Sequence, residues 1–144
     1  MHKFLHLLSP ETAHNFAIWA LHKGLVPSRK IIKDPILGSN VFGLDFPNPV
    51  GLAAGFDKNA YALSGISKVG FGLSEVGSVT PRPQIGNERP RIFRLRDDQA
   101  IINRLGFNNK GIDFFLDQLN RFRADQLNGD FSQPIIGINI GANK

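Results

Sequence analysis

The segment NPVGLAAGFDKNA, residues 48–60, determines how the fold is interpreted. Its first part, PVGLAAG, is apolar and rich in small residues, which is typical of a short strand buried on both faces of a parallel sheet. The segment then continues into Gly-Phe-Asp-Lys, so a cation, Lys58, directly follows the predicted strand. Lys58 is either a solvated surface charge or a cation held against negative charge on a ligand, and the residue types leave both alternatives open.

Strand and helix patterns alternate along the chain after this segment. FGLSEVGSVT (71–80) and PIIGINIG (134–141) are typical of buried strands, and YALSGISKVG (61–70) is typical of a short helix ending at Gly70. GIDFFLDQLNRFR (111–123) predicts a second helix. Strands that alternate with helices predict an α/β fold of parallel βα units. The apolar residues at core spacing on the second helix are Ile112, Phe115, Leu116 and Leu119.

A long excursion, residues 81–109, separates the second predicted strand from the second helix. Within it, PRIFRL (90–95) and QAIIN (99–103) flank a polar turn and predict a hairpin. An excursion of this length is more typical of a lid or binding element than of a simple connector. Nearer the amino terminus, NVFGLDFPNP (40–49) predicts two short β segments and a turn.

The amino-terminal part of the chain carries two helical patterns. In SPETAHNFAIWALHKG (9–24), Ser9 caps the predicted main helix and Gly24 closes it, and a shorter pattern around Phe4 and Leu5 precedes it. This unit either packs onto the rest of the fold, or forms an interfacial membrane patch or the mouth of an apolar tunnel. The predicted apolar face of the main helix consists of Ala13, Phe16, Ala17, Ala20 and Leu21.

The same unit holds all four histidines, His2, His6, His14 and His22. His14 and His22 are eight residues apart in the sequence and could share one side of the helix. No carboxylate cluster accompanies them, so no metal site is expected.

Composition narrows the class of protein. The 144 residues, 42% of them hydrophobic, suffice for one ordinary domain, and the absence of cysteine excludes disulfides and thiolate chemistry. The formal charge of +5 is scattered, so nucleic-acid binding is not expected. No apolar run approaches the roughly 20 residues that span a bilayer, so a soluble or peripheral protein is expected.

Small and hydrogen-bonding residues follow each predicted strand. In parallel α/β proteins, ligands bind outside the carboxyl ends of the strands, where small residues let a flat ring or a phosphate approach the backbone. The excursion adds Asn103, Asn108 and Asn109, whose amides suit a planar polar ligand, and spacing does not rank Asn108 against Asn109. The residues at the carboxyl ends of the three predicted strands are, in chain order, Ala53, Ala54, Gly55, Phe56, Asp57 and Lys58, then Gly77, Ser78, Val79 and Thr80, then Asn139, Gly141, Asn143 and Lys144.

Four segments in this order closely resemble the quinone-dependent (class 2) dihydroorotate dehydrogenases: NPVGLAAGFDKNA, GFGLSEVGSVTPRPQIGNERPRIFRL, INRLGFNNKG and GINIGANK. SPETAHNFAIWAL is similar to the amino-terminal helical extension of that class. The resemblance implies a (β/α)8 TIM barrel. Residues 1–35 would form a helical extension that faces the quinone and the membrane, and residues 36–144 would form the first part of the FMN-binding barrel.

The resemblance also implies an activity. Members of the class oxidise dihydroorotate to orotate in pyrimidine synthesis, with FMN as cofactor and ubiquinone or a similar quinone as electron acceptor. A proton leaves substrate C5 and a hydride passes from C6 to the flavin. The amino-terminal helices would hold the protein on the membrane surface, on the cytoplasmic face in a bacterium.

Site residues follow from the matching motifs. The resemblance assigns FMN contacts to Ala54, Gly55, Lys58, Ser78 and Asn139. It assigns substrate contacts to Lys58, Asn103, Arg104, Leu105, Gly106 and Phe107, and quinone contacts to His14 and Arg94.

The chain is shorter than the resemblance requires, since a barrel of this kind takes on the order of 250 residues. The catalytic base of the class, a serine on a later loop, is expected beyond residue 144. The chain is therefore expected to be an incomplete portion that is inactive alone. Two alternatives stay open: a small basic membrane-binding module without catalysis, and a different FMN-binding barrel oxidoreductase.

Overall fold

The computed structural model describes residues 7–32, 34–127 and 135–144. The short helical pattern around Phe4 and Leu5, with His2 and His6, lies outside these ranges, although Leu7 and Leu8, which follow it, are described. The helices are α1 (Pro10–His22), α2 (Leu63–Ile66) and α3 (Gly111–Leu127). The strands are β1 (Ser39–Val41), β2 (Leu44–Phe46), β3 (Gly51–Leu52), β4 (Leu73–Val79), β5 (Ile92–Leu95), β6 (Ala100–Asn103) and β7 (Ile135–Ile140).

A parallel sheet of three strands, in the order β3-β4-β7, forms the centre of the fold. Leu73 of β4 pairs with Gly51 on one side and with Ile135 on the other. Since α2 connects β3 to β4 and α3 lies between β4 and β7, the predicted α/β arrangement of parallel βα units is confirmed. Strand β3 is shorter than the segment PVGLAAG predicts, because the chain turns at Gly55, whose φ is 101°.

The main core lies between the sheet and α3. Val76 and Val79 of β4 pack with the α3 side chains Phe115, Leu119 and Phe122, and Ile112 packs against this cluster. The prediction for Leu116 is wrong, because this side chain is 47% exposed. Successive helix residues are rotated by about 100°, so Leu116 falls beside the buried face that its neighbour Phe115 occupies.

Helix α1 begins as predicted, with the Thr12 amide donating to the Ser9 hydroxyl at 3.3 Å. It packs on α2 through a second cluster of Leu21, Ala62 and Ile66. The approach is close: a Cβ atom on Gly65 would lie 2.2 Å from the Leu21 carbonyl oxygen, so only glycine fits there.

The buried face of α1 is rotated relative to the prediction. Ala13 and Leu21 are buried as predicted, but Phe16 is 45% exposed, and Ile18, which lies outside the predicted face, packs against the second cluster. The contact with α2 selects the face, because the helix docks on the side where its backbone meets Gly65.

Both predicted hairpins are confirmed. Strands β1 and β2 pair antiparallel with Ser39 opposite Phe46, and β5 and β6 pair antiparallel with Ile92 opposite Asn103. None of the helices in the described ranges is long and apolar enough to cross a bilayer.

Candidate functional site

The carboxyl ends of the three parallel strands meet at one edge of the sheet. The Gly55 amide, after β3, donates to the Gly77 carbonyl in β4 at 2.8 Å. Next to it, the Ser78 hydroxyl donates to the side-chain oxygen of Asn139 on β7, and the Asn139 amide donates to Glu75 at 3.1 Å. Gly55, with its neighbour Ala54, therefore lies on the same edge as Ser78 and Asn139, as the sequence predicts.

Gly55 leaves this edge of the sheet open. Its φ of 101° is one that residues with side chains rarely adopt, and apart from its two chain neighbours no described residue has an atom within 4 Å of the place where a Cβ would be. Since Gly55 has no side chain, a flat group could approach the backbone closely here.

Lys58 is half-buried, and its Nζ atom donates to the Gly55 carbonyl at 2.6 Å. Burial, and to a lesser extent the charge of Arg91, lower the pKa of Lys58 below its ordinary value of 10.5. The half-buried position and the hydrogen bond to Gly55 favour the second of the two alternatives for Lys58, a cation held at the site rather than a solvated surface charge.

Asp57 fixes the loop that presents Lys58. Its carboxylate is 2% exposed and accepts three amide hydrogens, from Asn59 at 3.2 Å, Tyr61 at 3.0 Å and Ala62 at 2.7 Å. The sequence pattern places Asp57 directly after the first predicted strand and predicts no separate role for it. An aspartate shortly before a helix is a common capping signal and could have indicated this role.

A cavity of about 430 Å³ lies beside Lys58, bounded by α1, the excursion and α3. His14 and His22 both line it, which confirms that the two histidines share one side of α1. The His14 ring meets Phe56 edge-on at 5.3 Å between ring centroids. Burial, and then the charge of Lys58, lower the pKa of His14 below 6.5, which favours its neutral form.

His22, which also lines this cavity, is held by Tyr61. Its ring stacks on Tyr61 with centroids 3.9 Å apart, and Nδ1 lies 2.9 Å from the Tyr61 carbonyl oxygen. Nowhere in the part of the chain that the structure describes do three histidine or carboxylate side chains gather closely enough to hold a metal ion.

The structure separates Asn108 from Asn109. The Asn109 side chain is occupied by the fold: it accepts from the Gly111 amide at 2.8 Å and donates to the Thr80 hydroxyl and the Phe107 carbonyl, each at 2.8 Å. Asn108 lines the cavity, and its buried Oδ1 atom has no hydrogen-bond partner among the described residues. Asn108 is therefore the better candidate for a ligand contact.

The segment 103–107, predicted to contact the substrate, is held in part by hydrogen bonds that each join a side chain to the backbone. The Asn103 side chain accepts from the Leu105 amide at 3.4 Å, Arg104 donates to Pro90 at 3.2 Å, and the Gly106 carbonyl accepts from Gln84 at 3.0 Å. Of the five residues, Leu105 lines the cavity beside Lys58. Phe107 is exposed and has a φ of 55°.

The two residues predicted for the quinone site lie in different cavities. His14 lines the cavity beside Lys58, whereas Arg94 lines a second cavity with β5 and β6 residues. Arg94 contacts the segment before α1, because its Nη1 atom donates to the Leu8 carbonyl at 2.7 Å.

A charge cluster that the sequence did not predict ties α1 to the excursion. The Glu11 carboxylate accepts from Arg91 Nη2 at 2.6 Å and from Arg89 Nη2 at 3.1 Å. The hydrogen bond from Arg91 lowers the pKa of Glu11 below its ordinary value of 4.5. The sequence could not predict this cluster, because no local signal connects Glu11 to a residue 80 positions away.

Comparison with known proteins places the chain in a family. A family model described as dihydroorotate dehydrogenase matches residues 36–144. The chain is 52% identical over 141 residues to a protein of Azorhizobium caulinodans named dihydroorotate dehydrogenase (quinone), and 55% identical over 140 residues to one of Rhizobium rhizogenes with the same name. These matches cover 98% and 97% of the chain but only 38% and 36% of the relatives.

Solved structures agree with the sequence matches. The fold superimposes on the crystal structure of DHODH from Eimeria tenella in complex with ferulenol, with a TM-score of 0.87 and 48% identity over 94% of the chain and 36% of that structure. A ligand-free structure from the same organism matches equally well and is covered to 38%. The chain thus spans between a third and two fifths of the proteins it matches, and it belongs to the dihydroorotate dehydrogenase family.

Proposed function

We propose that this chain serves the oxidation of dihydroorotate to orotate, with FMN as cofactor and a quinone as electron acceptor, in pyrimidine synthesis. The observation that carries the proposal is the shared edge of β3, β4 and β7, where open space at Gly55 adjoins Lys58, Ser78 and Asn139. The names of the relatives support the same reaction.

The residues at this edge fit FMN. The space above Gly55 suits a flat ring, while the hydroxyl of Ser78 and the amide of Asn139 provide polar atoms at its border. Bound FMN supplies a two-electron acceptor that takes hydride from the substrate and is reoxidised by a quinone. Ala54 and Gly55 would bound the ring on the β3 side.

Lys58 would stabilise negative charge at this edge. An ammonium group has three N–H donors, and Lys58 uses one of them on the Gly55 carbonyl. The other donors are available for an anionic substrate or for charge that develops during the reaction. Asp57 keeps the backbone that carries Lys58 in place and does not need to take part in the chemistry itself.

We also propose the domain arrangement that the family resemblance implies. Residues 36–144 would be the first part of a (β/α)8 barrel, with β3, β4 and β7 as consecutive barrel strands, and residues 1–35 would be the helical extension. The parallel order of these strands and the helices between them support this assignment. The segment 103–107 would approach the substrate, with Asn108 as an additional ligand contact.

A contact of α1 with the membrane surface is part of the proposal, with His14 and Arg94 directed to the quinone. Phe16 and Trp19 support it, because both are exposed and their rings lie 5.7 Å apart on the same helix. Changing both to serine should weaken binding to vesicles containing phosphatidylglycerol by about tenfold or more, since each ring is less than half exposed and gains about 1 kcal/mol when the rest of it is buried. Cosedimentation measures this. Phe42→Ser, at an exposed hairpin position, is the control, and equal binding by all variants would refute the contact.

The reaction itself is tested with the protein purified from its own organism. We expect flavin absorbance that bleaches when dihydroorotate is added without oxygen and returns when a quinone analogue is added. Bleaching by another reductant but not by dihydroorotate would instead support a different FMN-binding oxidoreductase. A colourless protein that binds vesicles would support a membrane-binding module without catalysis.

A further inference from the structure

We propose that Arg91 is a positioning residue that holds α1 and the segment 103–107 in one fixed arrangement. The inference rests on the proposed function, which assigns α1 to the quinone and 103–107 to the substrate. Arg91 is 4% exposed, so its guanidinium group is surrounded by the groups that it joins. It lies immediately before β5, at the start of the hairpin.

On one side, Arg91 holds the first turn of α1. Its Nη2 atom donates to Glu11 at 2.6 Å, and its Nε atom lies 3.2 Å and 3.3 Å from the two Glu11 oxygens. Planar guanidinium binds carboxylate in this way with both strength and a defined direction, which a lysine could not reproduce. The ion pair therefore fixes the angle as well as the distance of α1.

On the other side, the backbone of Arg91 and the neighbouring Asn87 hold the segment 103–107. The Arg104 amide donates to the Arg91 carbonyl at 2.8 Å. Arg91 Nη1 donates to the Asn87 carbonyl at 3.1 Å. Asn87 in turn donates to Arg104 through its side chain at 2.7 Å and to Leu105 through its amide at 3.1 Å.

Close packing makes this connection stiff. A Cβ atom on Gly86 would lie 2.8 Å from Arg91 Nη1 and 2.3 Å from the Leu105 carbonyl, and one on Gly106 would lie 2.8 Å from Asn87. Gly86 and Asn87 therefore lie between the guanidinium group and the segment. A displacement of the guanidinium group is expected to shift the segment, because there is no space for even a methyl group at Gly86 between Arg91 and Leu105.

The consequence concerns the cavity beside Lys58. His14 lines it from α1 and Leu105 lines it from the segment 103–107. Since both walls are tied to Arg91, this residue sets the separation of the groups on either side of Lys58. Loosening the pair at Glu11 should therefore be felt at Arg104 and Leu105, although neither residue contacts Glu11 in the hydrogen bonds described above.

Hydrogen exchange in the Glu11→Gln variant of the complete protein tests the inference. This variant keeps the shape of the side chain and removes its charge. We expect amide exchange to become roughly 5–30-fold faster both in α1 and in the segment 103–107. Arg89→Gln is the matched control, because Arg89 is exposed and its loss leaves the bonds from Arg91 to Glu11 in place, and it should leave exchange in 103–107 unchanged.

Faster exchange in α1 alone, or in neither segment, would overturn the inference. In the active enzyme, Glu11→Gln should raise the KM for dihydroorotate as well as the KM for the quinone, with a smaller effect on kcat. Glu11→Asp, which restores the charge, should recover part of both. Absence of dihydroorotate oxidation by the unmodified protein would refute the proposed function, whereas the exchange experiment would still decide whether Arg91 connects the two segments.

Discussion

In the proposed reaction of the complete protein, replacing Lys58 by methionine should slow the bleaching of bound flavin by dihydroorotate by about 100-fold or more, because the substitution removes a preorganised hydrogen-bond donor beside Gly55. Methionine retains most of the apolar stem of lysine, so the half-buried packing of residue 58 should persist. Stopped-flow absorbance under anaerobic conditions measures the bleaching rate directly. This rate reports the substrate half-reaction without contributions from the quinone.

The matched control for this experiment is Lys30→Met. Lys30 lies exposed in the linker between α1 and β1 and carries the same charge. If Lys58→Met and Lys30→Met bleached at the rate of the unmodified protein, Lys58 would have no part in the reaction. A loss of bound flavin in Lys58→Met alone would place its main contribution in cofactor binding instead.

Replacing Asp57 by alanine should lower the free energy of unfolding by about 3 kcal/mol, one of the largest effects of a single substitution in this chain. The carboxylate of Asp57 is the acceptor for the amides of Asn59, Tyr61 and Ala62. Alanine offers no acceptor, so each of the three amides loses its partner, and the buried Ala62 amide has no water to replace it. Urea unfolding followed by circular dichroism measures the change.

Two variants sharpen the test. Asp45→Ala removes an exposed aspartate that accepts one hydrogen bond, from Asn40 at 2.7 Å, and should change stability by about 0.5 kcal/mol or less. Asp57→Asn should have an intermediate effect, because its amide nitrogen would face the Ala62 amide and cannot accept from it. If Asp57→Ala were no more damaging than Asp45→Ala, Asp57 would not organise the loop.

The order of elements could be predicted from the sequence because it depends on local patterns. The small and apolar residues of β4 and β7 and the spacing of Phe115 and Leu119 on α3 are visible in short windows, and the structure confirms them. The errors at Phe16 and Leu116 arise because periodicity gives an apolar stripe but not its edges. Those edges are set by the neighbouring element, which in the case of α1 is the backbone at Gly65.

The candidate site could be predicted only in part for the same physical reason. Ser78 and Asn139 could be placed together, because parallel strands bring their carboxyl ends to one edge. The pair of Glu11 and Arg91 could not, since an ion pair between residues 80 positions apart leaves no mark on either local sequence. The different roles of Asn108 and Asn109 likewise depend on which of two adjacent side chains faces Thr80.

The attachment of α1 at both ends has a consequence for the order of events on the ribosome. Its carboxyl-terminal end packs against Ala62 and Ile66, whereas its amino-terminal end requires Arg91. Synthesis adds about 5–20 residues per second, so the roughly 25 residues between Ile66 and Arg91 take about 1–5 s. In the nascent chain, α1 therefore meets its docking surface on α2 seconds before the guanidinium group that fixes its orientation has been made.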